Sequence, residues 1–463
     1  MNPCSSSASR AIGRFVQEFE GSELGADALH AARRAFLDTF GGAIAGSREP
    51  ASLLIERYCR SVSPDNGTAT VWSRGGKLST EAAALVNGAM AHVLDYDDVL
   101  SPMRGHPSVV MFPALVALAE AEEKRWADVF VAFAVGLEVL ARLGRAVAVD
   151  HVAKGWHSTN TLGVFGAVAA CCKLLGLTSD QTVSALGLAL AQAAGTRTNF
   201  GSMAKCFQAG QAAFSAVRAT RLAQMGFTAG ADPLGDPHGG FSSLYCSGES
   251  LVEALEGLGV QPLEIVTGGV DVKKYPNCYA THRAIDGVLD VRDKFGLTLC
   301  EVDRIEVRAS RNAFVPLVHD RPVTALEGKF SLQYALAAAL QDGRVGLSTF
   351  TDSMVLREEI QAALPKIVVV GYADPPLPRW VEFNVVLRSG RVISHRVEAL
   401  RGSAAAPLTD AELIAKFVDC CDYSGAGPVG SSIAQTLLEV DSEQVGSSLP
   451  QIARVLGGED VGG

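Results

Sequence analysis

The stretch AHVLDYDDVLSPMRGHPSVV, Ala91 to Val110, crowds Asp95, Asp97 and Asp98 beside Tyr96, Arg104 and His106, between two apolar, helix-like segments. Acids alone could hold a cation. Acids beside a His and an Arg could instead move a proton and seat an anion. Two further segments set a base at the start of a helix. His157 precedes STNTLGVFGAVAACCKLLG, and Lys205 closes GTRTNFGSMAK just before QAGQAAFSAVRATRL. His106 is followed by Pro107, and Pro favours the first position of a helix. Helix N-termini offer unpaired N–H groups and partial positive charge, so three such ends, each with a base, would attract carboxylates if they converge.

A fourth group lies in VDVKKYPNCYATHRAID, Val270 to Asp286, with Lys273, Lys274, Cys278, Tyr279 and His282 ahead of a helix. Each of these residues also has a plainer reading. A lone His or Lys near a helix start is most simply a solvated surface residue. Asp97 and Asp98 are most simply helix caps or partners of Arg104. Asp95 follows an apolar stripe of Leu85, Val86, Ala89 and Val93 that must face a core, and it is the acid least easily assigned to the surface.

The elements that must position these groups fall into two textures. From about residue 8 to 265 apolar residues recur at three and four, as in ADALHAARRAFLDTFGGAIAG and DVFVAFAVGLEVLARLGRAV, which predicts helices throughout. Ser79 or Thr80 can cap the helix that runs out near Asp95, and Ser158 or Thr159 can cap the one after His157. After about Val266, VDRIEVRAS and KIVVVGYAD read as strands, and WVEFNVVLRSGRVISHRVEAL reads as a hairpin around Ser389-Gly390. KFSLQYALAAALQDG stays helical, and LTDAELIAKFVDCCDYSG returns to helix with Thr409 or Asp410 as N-cap. The expected architecture is mainly α. Residues 1–266, completed by 405–463, would form one large all-helical domain, and 267–404 an inserted, smaller α+β lid domain.

Composition narrows the partners. The chain has 463 residues, 48% of them hydrophobic, with formal charge −10 and mean hydropathy +0.20. That balance disfavours nucleic acid and anionic membranes, so a polyanionic metabolite would need a local cationic island. The N-terminus MNPCSSSASRAIGRF has no apolar core of a signal peptide, and the apolar runs are broken by charges, so a cytoplasmic protein is expected. Ten cysteines form no C-x-x-C pair; adjacent ones such as Cys171–Cys172 point apart on a helix, so buried thiols in a reducing compartment are expected rather than a metal or iron–sulfur site.

The motifs LDYDD…GHPSVV, GWHSTNTLGVFGA, LAQAAGT…AKCFQAGQAA, KKYPNCYATHRAID, KFSLQYALA and RGSAAAPLTDAELIAKF occur in order over nearly the whole chain. Together they resemble the MmgE/PrpD family, which includes 2-methylcitrate dehydratases, cis-aconitate decarboxylases and an iminodisuccinate epimerase. The resemblance implies a homodimer, a helical domain with an α+β lid, a small di- or tricarboxylate substrate, and no metal or cofactor. Motif by motif, it implies active-site roles for Asp95, His106, His157, Lys205 and Lys273. Arg104, Lys274, Cys278 and Tyr279 are the candidate substrate-binding neighbours. The chain departs from the family at Val99, where decarboxylases resemble one another in having Thr, and at Cys278, where the animal decarboxylase has His. AKCFQAG also replaces the more usual TKPLHAG.

The shared chemistry is removal of a proton from carbon beside a carboxylate, which needs fixed cations and a base of tuned pKa. The departures at Val99 and Cys278 point to an iminodisuccinate-type epimerase first. A 2-methylcitrate-type dehydratase, then a cis-aconitate-type decarboxylase, are the alternatives. A magnesium-dependent isoprenoid synthase would want a second acid cluster, which the sequence lacks, and a non-catalytic binding protein leaves the three bases without a purpose.

Overall fold

The computed structural model describes residues 7–62, 67–72, 76–245, 251–374, 379–426 and 430–456. It is 60% helical, so the expectation of a mainly α chain holds. Ala26–Gly46, Thr80–His92, Ser108–Ala121, Trp126–Ala153, Gly163–Leu175 and Ala204–Gln224 are among the long N-terminal helices, and Asp410–Ser424 returns to pack on Ala26–Gly46. Local sequence explains their starts. The Ser79 hydroxyl accepts from the Ala82 N–H, and Thr409 and Glu412 cap one another reciprocally.

The helix Thr80–His92 has almost no polar side, and every residue from Ala82 to His92 is buried. A helix apolar all round must lie inside a core. Glycines let its neighbours approach. A Cβ at Gly210 would stand 2.3 Å from the Leu85 carbonyl oxygen, and one at Gly46 would stand 2.1 Å from that of Met90. Both neighbouring helices therefore lie backbone against backbone on this one. The crossing at Gly210 sets the end of the 80–92 helix beside the start of the 204–224 helix, which carries Lys205.

A four-stranded sheet runs in the order Ile367–Ala373, Val302–Ser310, Val381–Leu387, Val392–Val397, with the first pair parallel and the others antiparallel. Val381–Leu387 alternates buried with half-buried residues, as a strand covered on one face should. The foreseen hairpin is present, with Gly390 at φ +84° in its turn. His282–Phe295 packs on this sheet, Gly287 lying against Phe383 and Val397, and Leu332–Asp342 packs on that helix. One pairing was not foreseen. Ala69–Thr70 and Lys77–Leu78 form a short antiparallel ladder, tied down where Thr70 donates to Glu120 through its N–H (2.7 Å) and its hydroxyl (2.6 Å).

The buried apolar side chains fall into two main clusters. One draws on residues 8–272 and 408–449, the other on residues 275–393. Ser158–Leu175 is apolar and long enough to cross a membrane by composition, but 89% of it is buried among other helices, as befits a core segment.

Candidate active site

The site is built on the loop that follows the 80–92 helix. Asp95 sits there at φ +54° and is buried. One of its carboxylate oxygens lies 2.6 Å from Lys205 Nζ and 3.1 Å from Lys273 Nζ, and His106 Nε2 stands 3.7 Å away. Burial, the largest single influence, would raise this carboxyl, but Lys205 and Lys273, with His106 and His92 beside them, together hold it well below the usual carboxylate range. Asp95 is thus a permanent anion that anchors two lysines, and a poor base.

Behind it, one oxygen of Asp97 takes two imidazoles. His92 Nδ1 and His106 Nδ1 each lie 2.9 Å from Asp97 Oδ2. The same His106 nitrogen lies 2.9 Å from the Asp98 carbonyl, so both of its partners are acceptors and it must carry the proton. His106 Nε2 therefore bears the lone pair. His92 Nε2 accepts from Lys205 Nζ at 2.8 Å, which gives His92 the same tautomer. Burial is the leading influence on both rings. It takes His92 down to about 4 and His106 below its ordinary value, although Asp97 opposes the shift in each case. Asp97 is neither a helix cap nor a partner of Arg104: it orients two histidines. Asp98 is likewise buried, and accepts from Ser108 at the start of the next helix.

The helix starts differ in detail from expectation. His106 is two residues before Ser108–Ala121, because Pro107 takes the N-cap position rather than the first turn. His157 is itself the N-cap of the four-residue helix Ser158–Thr161. Ser158 and Thr159 do not cap it; the Ser158 hydroxyl donates to the Arg104 carbonyl, and the Thr159 hydroxyl accepts from the His106 N–H. Lys205 is the second residue of Ala204–Gln224. Tertiary packing, not local capping, brings them together. The His92 ring lies 4.6 Å from that of His106 and 5.9 Å from that of His157, centroid to centroid.

These groups face a cavity of about 640 Å³ whose lining includes Asp95, Val99, Arg104, His106, His157, Lys205, Cys278 and Tyr279. Lys273 sits behind Asp95 and is fully buried. Lys274 is not among the lining side chains. Its side chain turns outward instead, to Asp286, 3.4 Å away. Cys278 is a buried thiol pushed up to about 11, first by burial and then by Asp95, which makes it a poor nucleophile. Two lining residues gave no usable signal in the sequence: Arg283, inside the THRAID motif, and Arg379, on a loop before a strand. Burial and the neighbouring Arg104 and Arg283 bring Arg379 down to about 10. His92, buried at the end of the 80–92 helix, likewise gave no signal in the sequence.

Among the described residues, His92, Asp95, Asp97 and His106 bring donor atoms within 4.8 Å of one another. They do not fit a metal ion. The Asp95 oxygen already faces two ammonium groups, the Asp97 oxygen takes two N–H bonds, and His92 Nε2 is engaged by Lys205. A dication would have to displace two lysines from a buried site.

The family models agree with the motifs. The MmgE/PrpD N-terminal domain matches residues 10–254 and the MmgE/PrpD C-terminal domain matches residues 275–435. The chain is 29% identical over 404 residues to the cis-aconitate decarboxylase of Homo sapiens, covering 84% of this chain and 82% of that one. It is 28% identical over 436 residues to the cis-aconitate decarboxylase-like protein oryM of Aspergillus oryzae, covering 87% and 88%. The cis-aconitate decarboxylase of Aspergillus terreus is 28% identical over 362 residues, covering 74% of this chain and 73% of its own.

Proposed function

Because the chain belongs to the MmgE/PrpD family, we propose that it is a lyase acting on a small unsaturated tricarboxylate of the cis-aconitate type, releasing carbon dioxide and protonating the carbon skeleton. The observation that carries this reading is the charge of the cavity lining. Arg104, Lys205, Arg283 and Arg379 face one carboxylate, Asp95, an excess of three positive charges in an acidic protein. A trianion balances that excess. The names of the relatives point the same way.

The chemistry follows from what each group presents. The arginines seat carboxylates through paired N–H groups. The bond to the departing carboxylate breaks, its electron pair passes into the conjugated acid, and a new C–H bond forms with a proton from the site. His106 presents a lone pair to the cavity and accepts protons; Lys205 presents N–H groups and donates them. A preorganised donor aimed at developing charge in a site of this kind is worth on the order of 100- to 1,000-fold in rate. Residues 267–404 supply Lys273, Cys278, Arg283 and Arg379, and we assign that segment the part of a lid over the helical half.

Epimerisation is the second reading, favoured by Val99, which stands where decarboxylases resemble one another in having Thr, and by Cys278, which stands where the animal decarboxylase has His. The two reactions separate cleanly. Incubating the protein with cis-aconitate in D₂O should release one carbon dioxide per substrate and leave deuterium on the product. Deuterium wash-in with inversion of an amino- or imino-dicarboxylate, and no carbon dioxide, would replace the lyase by the epimerase. Release of water would replace it by the dehydratase.

A further inference from the structure

His106 and His157 both line the cavity, but they are backed by different groups. Behind His106 stands the Asp97 carboxylate. Behind His157 stands Gln208, whose Oε1 lies 2.8 Å from His157 Nδ1. The orientation of that amide is fixed from its other end, where Gln208 Nε2 donates to the Thr196 carbonyl at 3.2 Å. Turning the amide over would set its oxygen against that carbonyl. With Oε1 toward the ring, His157 Nδ1 must carry the proton and Nε2 the lone pair. Nε2 is buried and has no hydrogen-bond partner among the described residues.

The neighbourhood leaves the amide no slack. Gly195 is at φ +108°, and a Cβ there would lie 2.5 Å from Gln208 Oε1. The Gly195 carbonyl accepts from the His157 N–H at 3.1 Å, so the same short loop holds both the backbone of His157 and the seat of Gln208. Phe200 packs edge-on to the imidazole at 5.1 Å.

We propose that Gln208 is a positioning residue that locks His157 as a neutral base, with its lone pair on the cavity and no route for its proton except back into the cavity. The proposal rests on the reading of the cavity as one in which a carbon of a bound carboxylic acid exchanges a proton with the site. In the lyase the broken bond is C–C and its electron pair passes into the conjugated acid, so His157 Nε2 serves by taking a proton from the cavity and handing it to the carbon that gains the new C–H bond. In an epimerase it takes that proton from carbon, which keeps the electron pair. The amide oxygen of Gln208 is no base near neutral pH, so it cannot take the Nδ1 proton in exchange. The imidazolium stays beside Lys205 without a carboxylate to stabilise it, and it returns the proton to the substrate or to water in the cavity. His106 differs, because Asp97 stabilises its charged form. The two histidines are therefore unequal acids once charged, His157 being the stronger. A substrate atom facing neutral His157 must also bring a hydrogen, since a bare carboxylate oxygen would meet a lone pair.

The test uses two substitutions and a readout that needs no substrate. In protein labelled with ¹⁵N-histidine, with H157Q used for assignment, His157 should show a protonated Nδ1, a bare Nε2 and a titration well below the ordinary histidine range, since burial and the nearby Lys205 disfavour its charged form. Gln208→Glu places a carboxylate behind the ring and should move the titration of His157 upward by one unit or more. With an active substrate, the acid limb of the kcat pH profile should move the same way. Gln208→Leu should mix the tautomers and cut kcat about tenfold or more with KM within twofold. A wild-type Nε2–H tautomer, or a His157 titration unmoved in Gln208→Glu, overturns the proposal. If cis-aconitate is not turned over but the labelled spectra behave as stated, the reaction assignment fails and the role of Gln208 stands.

Discussion

Lys273 reaches Asp95 twice: its ammonium lies 2.8 Å from the Asp95 carbonyl oxygen and 3.1 Å from the carboxylate. The flanking carbonyls are held alike. Lys329 Nζ donates to the Leu94 carbonyl at 2.7 Å and Lys416 Nζ to that of Tyr96 at 2.8 Å. Three lysines, far apart in sequence, thus hold three consecutive carbonyls just past the end of the 80–92 helix. That end carries partial negative charge, which favours cations. The arrangement holds Asp95 in a left-handed conformation that costs a non-glycine residue about 1 kcal/mol or more.

Lys329 gives this strap a pH signature. Burial brings it down to about 7, against the opposing pull of Asp95 and Glu49. Its bonds go to two carbonyls, those of Leu94 and Pro276, which a neutral amine can satisfy. Between about pH 7 and the ordinary lysine value of about 10.4, the unfolded chain binds more protons here than the folded one, so this group makes stability rise with pH across that window. Urea unfolding of the wild type should rise more steeply with pH than that of Lys329→Met, by at most about 1.4 kcal/mol per pH unit. Parallel slopes would show the amine to be charged throughout.

Asp97→Asn keeps the shape of the side chain but offers the two imidazoles an amide. It should lower kcat by about a hundredfold or more, with KM little changed, through loss of the His106 tautomer. In the wild type, kcat/KM should fall on acidification through a pKa below the ordinary histidine value, since burial holds His106 down. Asp97 raises that value, so in the variant the limb should move further toward acid. A limb that moves toward neutral pH would take the base role away from His106.

Arg379→Ala tests whether this arginine seats a carboxylate away from the breaking bond: KM for a tricarboxylate should then rise at least tenfold while kcat changes little. The same substitution should matter far less for a dicarboxylate lacking that third group. Steady-state kinetics on the two substrates decides it, and an equal loss on both would place Arg379 elsewhere in the mechanism.

Gly210→Val tests the crossing that delivers Lys205. Its Cβ would meet the Leu85 carbonyl, a backbone atom that cannot turn aside. Overpacking of this kind costs about 1–3 kcal/mol. Thermal unfolding should register it, and activity should fall with it as Lys205 is pushed off Asp95. Full activity in a variant of unchanged Tm would mean that the two helices can part without disturbing the site.

Much of this protein is legible in its residues alone. Helix periodicity, the caps at Ser79 and Thr409, the strands after residue 300 and the hairpin at Gly390 are local events, decided by side chains within a few positions of one another. The ordered motifs mark the family in the same way, and they mark Asp95, His106, His157, Lys205 and Lys273 as the groups to watch. Roles were not legible. Asp97 reads as a cap because nothing local shows that His92 and His106 close on one oxygen. Lys274 reads like Lys273 because only the path of the chain decides which of the two turns inward. Arg379 carries no pattern, and Gln208 acquires meaning only when the 204–224 helix lies beside His157. Hydrogen-bond acceptors, charge neighbours and burial set each tautomer and each shifted pKa. Some are close in sequence, as Asp97 is to His92 and His106, while others, such as Gln208 behind His157 and Lys205 beside Asp95, arrive from a helix distant in sequence. Long-range packing through Gly46 and Gly210 therefore decided the chemistry that composition and spacing could only make possible.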